Sequence, residues 1–170
     1  WVLSACYNFD RSFLHDATMF ELSRQIGRPA PRTRFVEVFL ATNAFLNVHT
    51  NDYLGVYVVE EKITVAGDRV DIAKIEPEDT GLPDVTGGYI VKIDRADADE
   101  YAFRTARGTP TNGVYIVIQE PKKAELPAAQ TGYVTNWFQA FEDALYGTNF
   151  TDPDAGYARH LDVPAWIDHH

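Results

Sequence analysis

A chain of 170 residues, 45% hydrophobic and 13% aromatic, is long enough to bury a real core and does not have the composition of a disordered segment. Its formal charge of −10 and pI near 4.8 argue against a general nucleic-acid binder, which needs a basic face, and set it against anionic membranes. Cys6 is the only cysteine, so an intrachain disulfide and a cysteine-based metal cluster are excluded, and no apolar run approaches the ~20 residues of a membrane span.

The chain opens inside an apolar run, Trp1 to Tyr7, which reads as a strand with Cys6 as a small core residue. Asp10 to Gly27 reads as a helix. Ser12 or Asp10 can cap it, and Phe13, Ala17 and Phe20 form an apolar row that Met19, Leu22 and Ile26 widen. Gly27 supplies the left-handed position that ends it, and Pro29 prevents continuation. Arg34 to Leu40 reads as a strand, with a second short one through Ala44–Val48.

Tyr53 to Lys62 is the most informative stretch. Six apolar or aromatic residues and a glycine run straight into Glu60-Glu61-Lys62, which predicts a strand buried on both faces that delivers charges at its end. Val70 to Ile72 is a short extended piece before a loop rich in Pro, Asp and Gly. Gly87 to Asp94 reads as an alternating strand with Ile90, Lys92 and Asp94 on one face. Arg95 to Gly113 reads as a loop, and Val114 to Ile118 as another buried strand.

Pro127 then opens a helix whose Tyr133, Trp137, Phe141 and Leu145 recur every four residues. Asp162 and Pro164 suit the first turn of a last helix, running to His170. Helices set around mainly antiparallel strands make the predicted class α+β, a single domain over 1–170. Both ends read as cut, so an incomplete domain is expected.

Several chemistries lack their motifs. There is no phosphate-binding Gly-x-x-x-x-Gly-Lys-Ser/Thr loop, no Gly-x-Gly-x-x-Gly turn, no His-Glu-x-x-His and no Gly-x-Ser-x-Gly. His169 and His170 are adjacent and point about 100° apart on a helix, a poor chelate. Asp94, Asp97, Asp99 and Glu100 read as a solvated loop, and no metal ligand is assigned. Asn149-Phe150-Thr151 fits the glycosylation pattern, which is frequent by chance.

The order of segments resembles a known family. Trp1 to Asn8 and then Asp10-Arg11-Ser12-Phe13-Leu14-His15-Asp16 are followed by Gly27-Arg28-Pro29-Ala30-Pro31-Arg32-Thr33-Arg34-Phe35-Val36-Glu37-Val38. Tyr53-Leu54-Gly55-Val56-Tyr57 then leads to Glu61-Lys62, and Gly88-Tyr89-Ile90-Val91-Lys92-Ile93-Asp94-Arg95 comes next. Over nearly the whole chain this is similar to the spore-coat protein CotH kinase family. The resemblance implies the N-terminal portion of an atypical protein-kinase-like fold, which uses ATP with Mg or Mn to phosphorylate serines of coat or surface proteins. It also implies a secreted, cell-surface or spore-coat location. The family's metal-binding and catalytic aspartates belong to a segment expected beyond His170, so this piece alone is expected to be inactive. Two departures stand out: Leu14-His15 replaces the family's Leu-Arg, and Ala41 to Asp52 lengthens the turn before Tyr53.

Kinase chemistry gives the charged residues roles, since phosphoryl transfer rests on positioning and charge neutralisation. Lys62 is the first choice for the ATP phosphates and Lys92 the second. Glu21, Glu60 and Glu61 are the candidate carboxylates to hold that lysine, Glu60 because alternation puts it on the face of Lys62. A mid-strand Lys92 needs a carboxylate nearby to be buried at tolerable cost. The other reading is a non-catalytic surface or coat protein that keeps the fold for adhesion.

Overall fold

The structure, a computed structural model, describes residues 1–42, 47–107 and 113–169. The class is α+β, with every strand pairing antiparallel, but the strands form two three-stranded sheets. Each sheet belongs to its own compact unit. The first comprises Trp1–Ile63 with Asp68–Val70, and the second Thr64–Gly67 with Asp71–His170.

In the first unit, β1 (Val2–Ser4), α1 (His15–Gln25), β2 (Thr33–Phe39) and β3 (Tyr53–Glu60) appear in chain order. The sheet order is β1-β3-β2, so the apolar run is the central strand. Its register against β2 runs from Thr33 opposite Glu60 to Val38 opposite Gly55, then shifts. Gly55 sits at that shift with φ +117°, a backbone that a side chain would strain.

The expectation of burial on both faces is corrected. Val58 is buried, but Leu54 and Val56 are 51% and 42% exposed. A short apolar run cannot say what covers it, and α1, the one α-helix described in this unit, has no fully buried residue. Met19, Leu22 and Ile26, read as widening the apolar face of the helix, are exposed.

The start of α1 is also corrected. The Asp10 carboxylate accepts hydrogen bonds from the Ser12 and His15 backbone N–H groups and the Ser12 hydroxyl, so it ties down a turn. The helix begins only at His15. Gly27 takes the left-handed φ of +82° just past the helix end, as its position predicts. The strand read over Trp1–Tyr7 shortens to β1 before a 3-10 turn at Cys6–Asn8. The reading of a strand over 44–48 lies mostly outside the described residues, and Asn47 and Val48 are not in one.

The second unit contains β4 (Ile90–Lys92), β5 (Tyr101–Arg104), β6 (Tyr115–Glu120), α2 (Ala128–Tyr146) and α3 (Val163–His169). The order β4-β6-β5 puts β6 in the centre, and Val117 and Ile118 are 0% exposed. Here the continuous apolar run does mean burial on both faces. Strand β5 corrects the loop reading of 95–113: four residues, ending in an arginine, are too few to show a period.

Helix α2 starts after Pro127 as read and buries Val134. Its Trp137 and Phe138 meet edge to face, and Phe138 packs on Phe103 of β5. Gln130 is fully buried and donates to the Glu76 and Asp79 carbonyls, pinning the preceding loop. Gly88 is required by contact: a Cβ there would stand 2.2 Å from the Ala73 carbonyl oxygen. Asp162 caps α3 as predicted, accepting the Ala165 N–H at 3.0 Å.

Candidate functional site

At the end of β3 the chain leaves the sheet with Glu61, Lys62 and Ile63. These three line a cavity of about 350 Å³ within the first unit, with Arg24, Pro29–Arg32 and Asp68–Val70. Pro29, Ala30, Pro31, Ile63 and Val70 give it apolar walls. Arg24, Arg32, Lys62 and Arg69 outnumber Glu61 and Asp68, so positive charge prevails locally in a chain of net charge −10.

Glu61 is the anchor of this arrangement. It is only 6% exposed, so its charge must be compensated by protein groups. Arg32 donates to it from Nε at 2.7 Å, from its second guanidinium nitrogen, and from its backbone N–H at 3.0 Å. Arg69 approaches the same carboxylate oxygen at 2.9 Å. The hydrogen-bonded Arg32 guanidinium holds the Glu61 carboxyl down at about 2, against the opposing effect of burial.

Arg69 has further contacts. It bonds the Asp68 carboxylate at 2.6 Å and lies 5.3 Å from the Trp1 ring centroid. Lys62 differs from all of these. It is exposed, it lines the cavity, and it makes no ion pair among the described residues.

The three candidate partner carboxylates are therefore engaged elsewhere. Glu21 binds Arg24 and Gln25 along its own helix, as i,i+3 and i,i+4 neighbours do. Glu61 belongs to the two arginines. Glu60 turns towards Asp16 and Cys6, with ligand atoms of the three within 4.8 Å of one another. One Glu60 oxygen is buried without a hydrogen bond, and burial, then the charge of Asp16, pushes its carboxyl up. The shared-face argument for Glu60 and Lys62 fails because β3 ends at Glu60, and strand alternation stops with it.

Lys92, in the second unit, has the carboxylate that its position demanded. It pairs with the buried Glu100 at 2.9 Å, and Lys122 approaches the same group at 3.5 Å. The Asp97 backbone N–H, then the Lys92 ammonium, hold the Glu100 carboxyl below its ordinary range. Lys92 thus has a carboxylate partner within the second unit. His15 is exposed and 3.7 Å from Asp10.

Arg32 and Arg69 were not singled out from the sequence. Arg32 carried a signal, since it follows Pro29-Ala30-Pro31 and precedes a strand. Arg69 carried none, because it is brought to Glu61 by a turn whose closure no local pattern reveals.

Fold and site together define a small α+β protein with a cation-rich, apolar-walled pocket at a strand end. The family model for CotH kinase protein matches residues 1–170, and the chain belongs to that family. No curated protein and no solved structure matches the chain. Among the described residues no helix is long and apolar enough to cross a membrane.

Proposed function

We propose that this chain is the nucleotide-cradling part of a CotH-type protein kinase that moves the ATP γ-phosphate to protein serines. The observation that carries the reading is Lys62, an ammonium without an internal partner at the rim of a pocket where cations outnumber acids. A cavity of about 350 Å³ is of small-molecule size, and its apolar walls suit a ligand with a flat body and an anionic end.

ATP, when bound, supplies the phosphoryl group, and Mg or Mn neutralises its charge. This chain's residues bind and orient the phosphates: Lys62 from the rim, Arg32 and Arg69 from the wall. The Cys6, Asp16 and Glu60 group is a poor match for Mg, which takes oxygen ligands in near-octahedral geometry and disfavours a soft thiol. In this reading the substrate is a serine-bearing coat or surface protein.

The test is thermal denaturation with millimolar ATP and Mg or Mn. Ligand that binds only the folded state raises the melting temperature by mass action. Wild-type protein should shift upward and Lys62→Ala should not, with its unliganded melting temperature unchanged. A second reading, a coat or adhesion protein without catalysis, draws on the exposed apolar residues Leu54, Val56, Met19 and Leu22 of the first unit. It expects no nucleotide shift in either protein.

A further inference from the structure

We infer that Glu61 is a positioning residue, which sets the Arg32 and Arg69 guanidinium groups as a fork that grips a phosphate-class anion in the pocket beside Lys62. The inference rests on the reading that the phosphate chain enters this cavity. It replaces a single lysine contact with a preorganised pair of planar donors.

Three observations support it. Arg69 is 16% exposed at its side chain; Glu61 and Asp68 both bind one of its terminal nitrogens, and the Trp1 ring lies 5.3 Å from the guanidinium. Such a guanidinium has lost most of its rotational freedom before any ligand arrives, so binding costs less side-chain entropy. The described contacts also leave donors over. Arg32 spends Nε, one terminal nitrogen and its backbone N–H, and Arg69 spends one terminal nitrogen. Arg32 keeps a terminal nitrogen, and Arg69 keeps Nε and a terminal nitrogen, without an acceptor among the described residues.

The third observation concerns charge. Glu61 is a buried anion on the wall of a pocket meant for an anion, and by Coulomb's law alone it weakens binding. Its presence makes sense if fixing two arginines outweighs that repulsion. A positioning role and a purely electrostatic one therefore predict opposite signs when Glu61 loses its charge.

The experiment is isothermal titration of inorganic pyrophosphate, and separately of ATP with Mg, into wild-type protein, E61Q, R69K, R32K and Lys62→Ala. Folding is checked by circular dichroism. The fork predicts that E61Q binds pyrophosphate more weakly than wild type although the pocket gains positive charge. It also predicts that R69K and R32K, which keep their charge, lose about tenfold in affinity, the loss expected for a charge-assisted hydrogen bond. The lysine variants decide the question by themselves should E61Q fail to fold.

Tighter pyrophosphate binding by E61Q, or unchanged binding by both lysine variants, overturns the fork. If Lys62→Ala still weakens ATP in that case, the nucleotide reading stands without it. Pyrophosphate binding that obeys the fork, with ATP bound no better than pyrophosphate, keeps the fork and removes the nucleotide. Wild-type protein that binds neither anion overturns both.

Discussion

At the residue scale the end of β3 divides its charges by burial. Glu61 is enclosed and doubly paired, Glu60 keeps an unsatisfied oxygen, and Lys62 faces the cavity rim. Truncating Lys62 should leave stability within about 0.5 kcal/mol, as for surface changes generally, by denaturant unfolding. Glu61 should show itself in acid. Its carboxyl is held at about 2, below the ordinary 4.5, so its stabilisation is complete above pH 4.5 and lost as pH falls towards 2. The melting-temperature gap between wild type and E61Q should be widest above pH 4.5 and should close across that window. A gap independent of pH would mean that the ion pair with Arg32 and Arg69 is not what Glu61 contributes. The partners of Glu61 were illegible in the sequence, because Arg32 and Arg69 are 29 and 8 positions away and only the fold joins them.

At the element scale, two apolar runs of similar composition met different fates. β3 and β6 are both central strands, yet only β6 is sealed on both faces. Replacing Ile118 by Ala should cost about 3 kcal/mol, the usual penalty for emptying a packed aliphatic site. Leu54→Ala, on an exposed stretch of β3, should cost less than about 1 kcal/mol, with urea denaturation reading both. Gly88→Ala should destabilise by more than about 1 kcal/mol, since its φ is +81° and the Ala73 carbonyl blocks the added carbon. Strand and helix existence was legible from period and from punctuation by Gly27, Pro127 and Asp162. The extent of burial was not, because it depends on what the rest of the chain lays over each strand. β5 went unseen among the charges and glycines that surround it.

At the scale of the whole molecule, charge is unevenly spread. A protein of net charge −10 repels anions in general, so it must concentrate cations wherever it receives one. The pocket beside Lys62 does this with Arg24, Arg32 and Arg69. The family resemblance read from five short segments matches the full-length family assignment over 1–170. What those segments did not show was that the chain builds two units, with Lys62 in the first and Lys92 in the second. Lys92 is paired with Glu100, whereas Lys62 makes no ion pair among the described residues and lines the pocket.

The most direct measurement is covalent labelling with an acyl-phosphate derivative of ATP, which acylates the lysine lying against the bound phosphates, followed by peptide mass spectrometry. The account predicts that Lys62 takes the label and that excess ATP with Mg suppresses it. Labelling of other lysines alone, or Lys62 labelling indifferent to competing ATP, would contradict it.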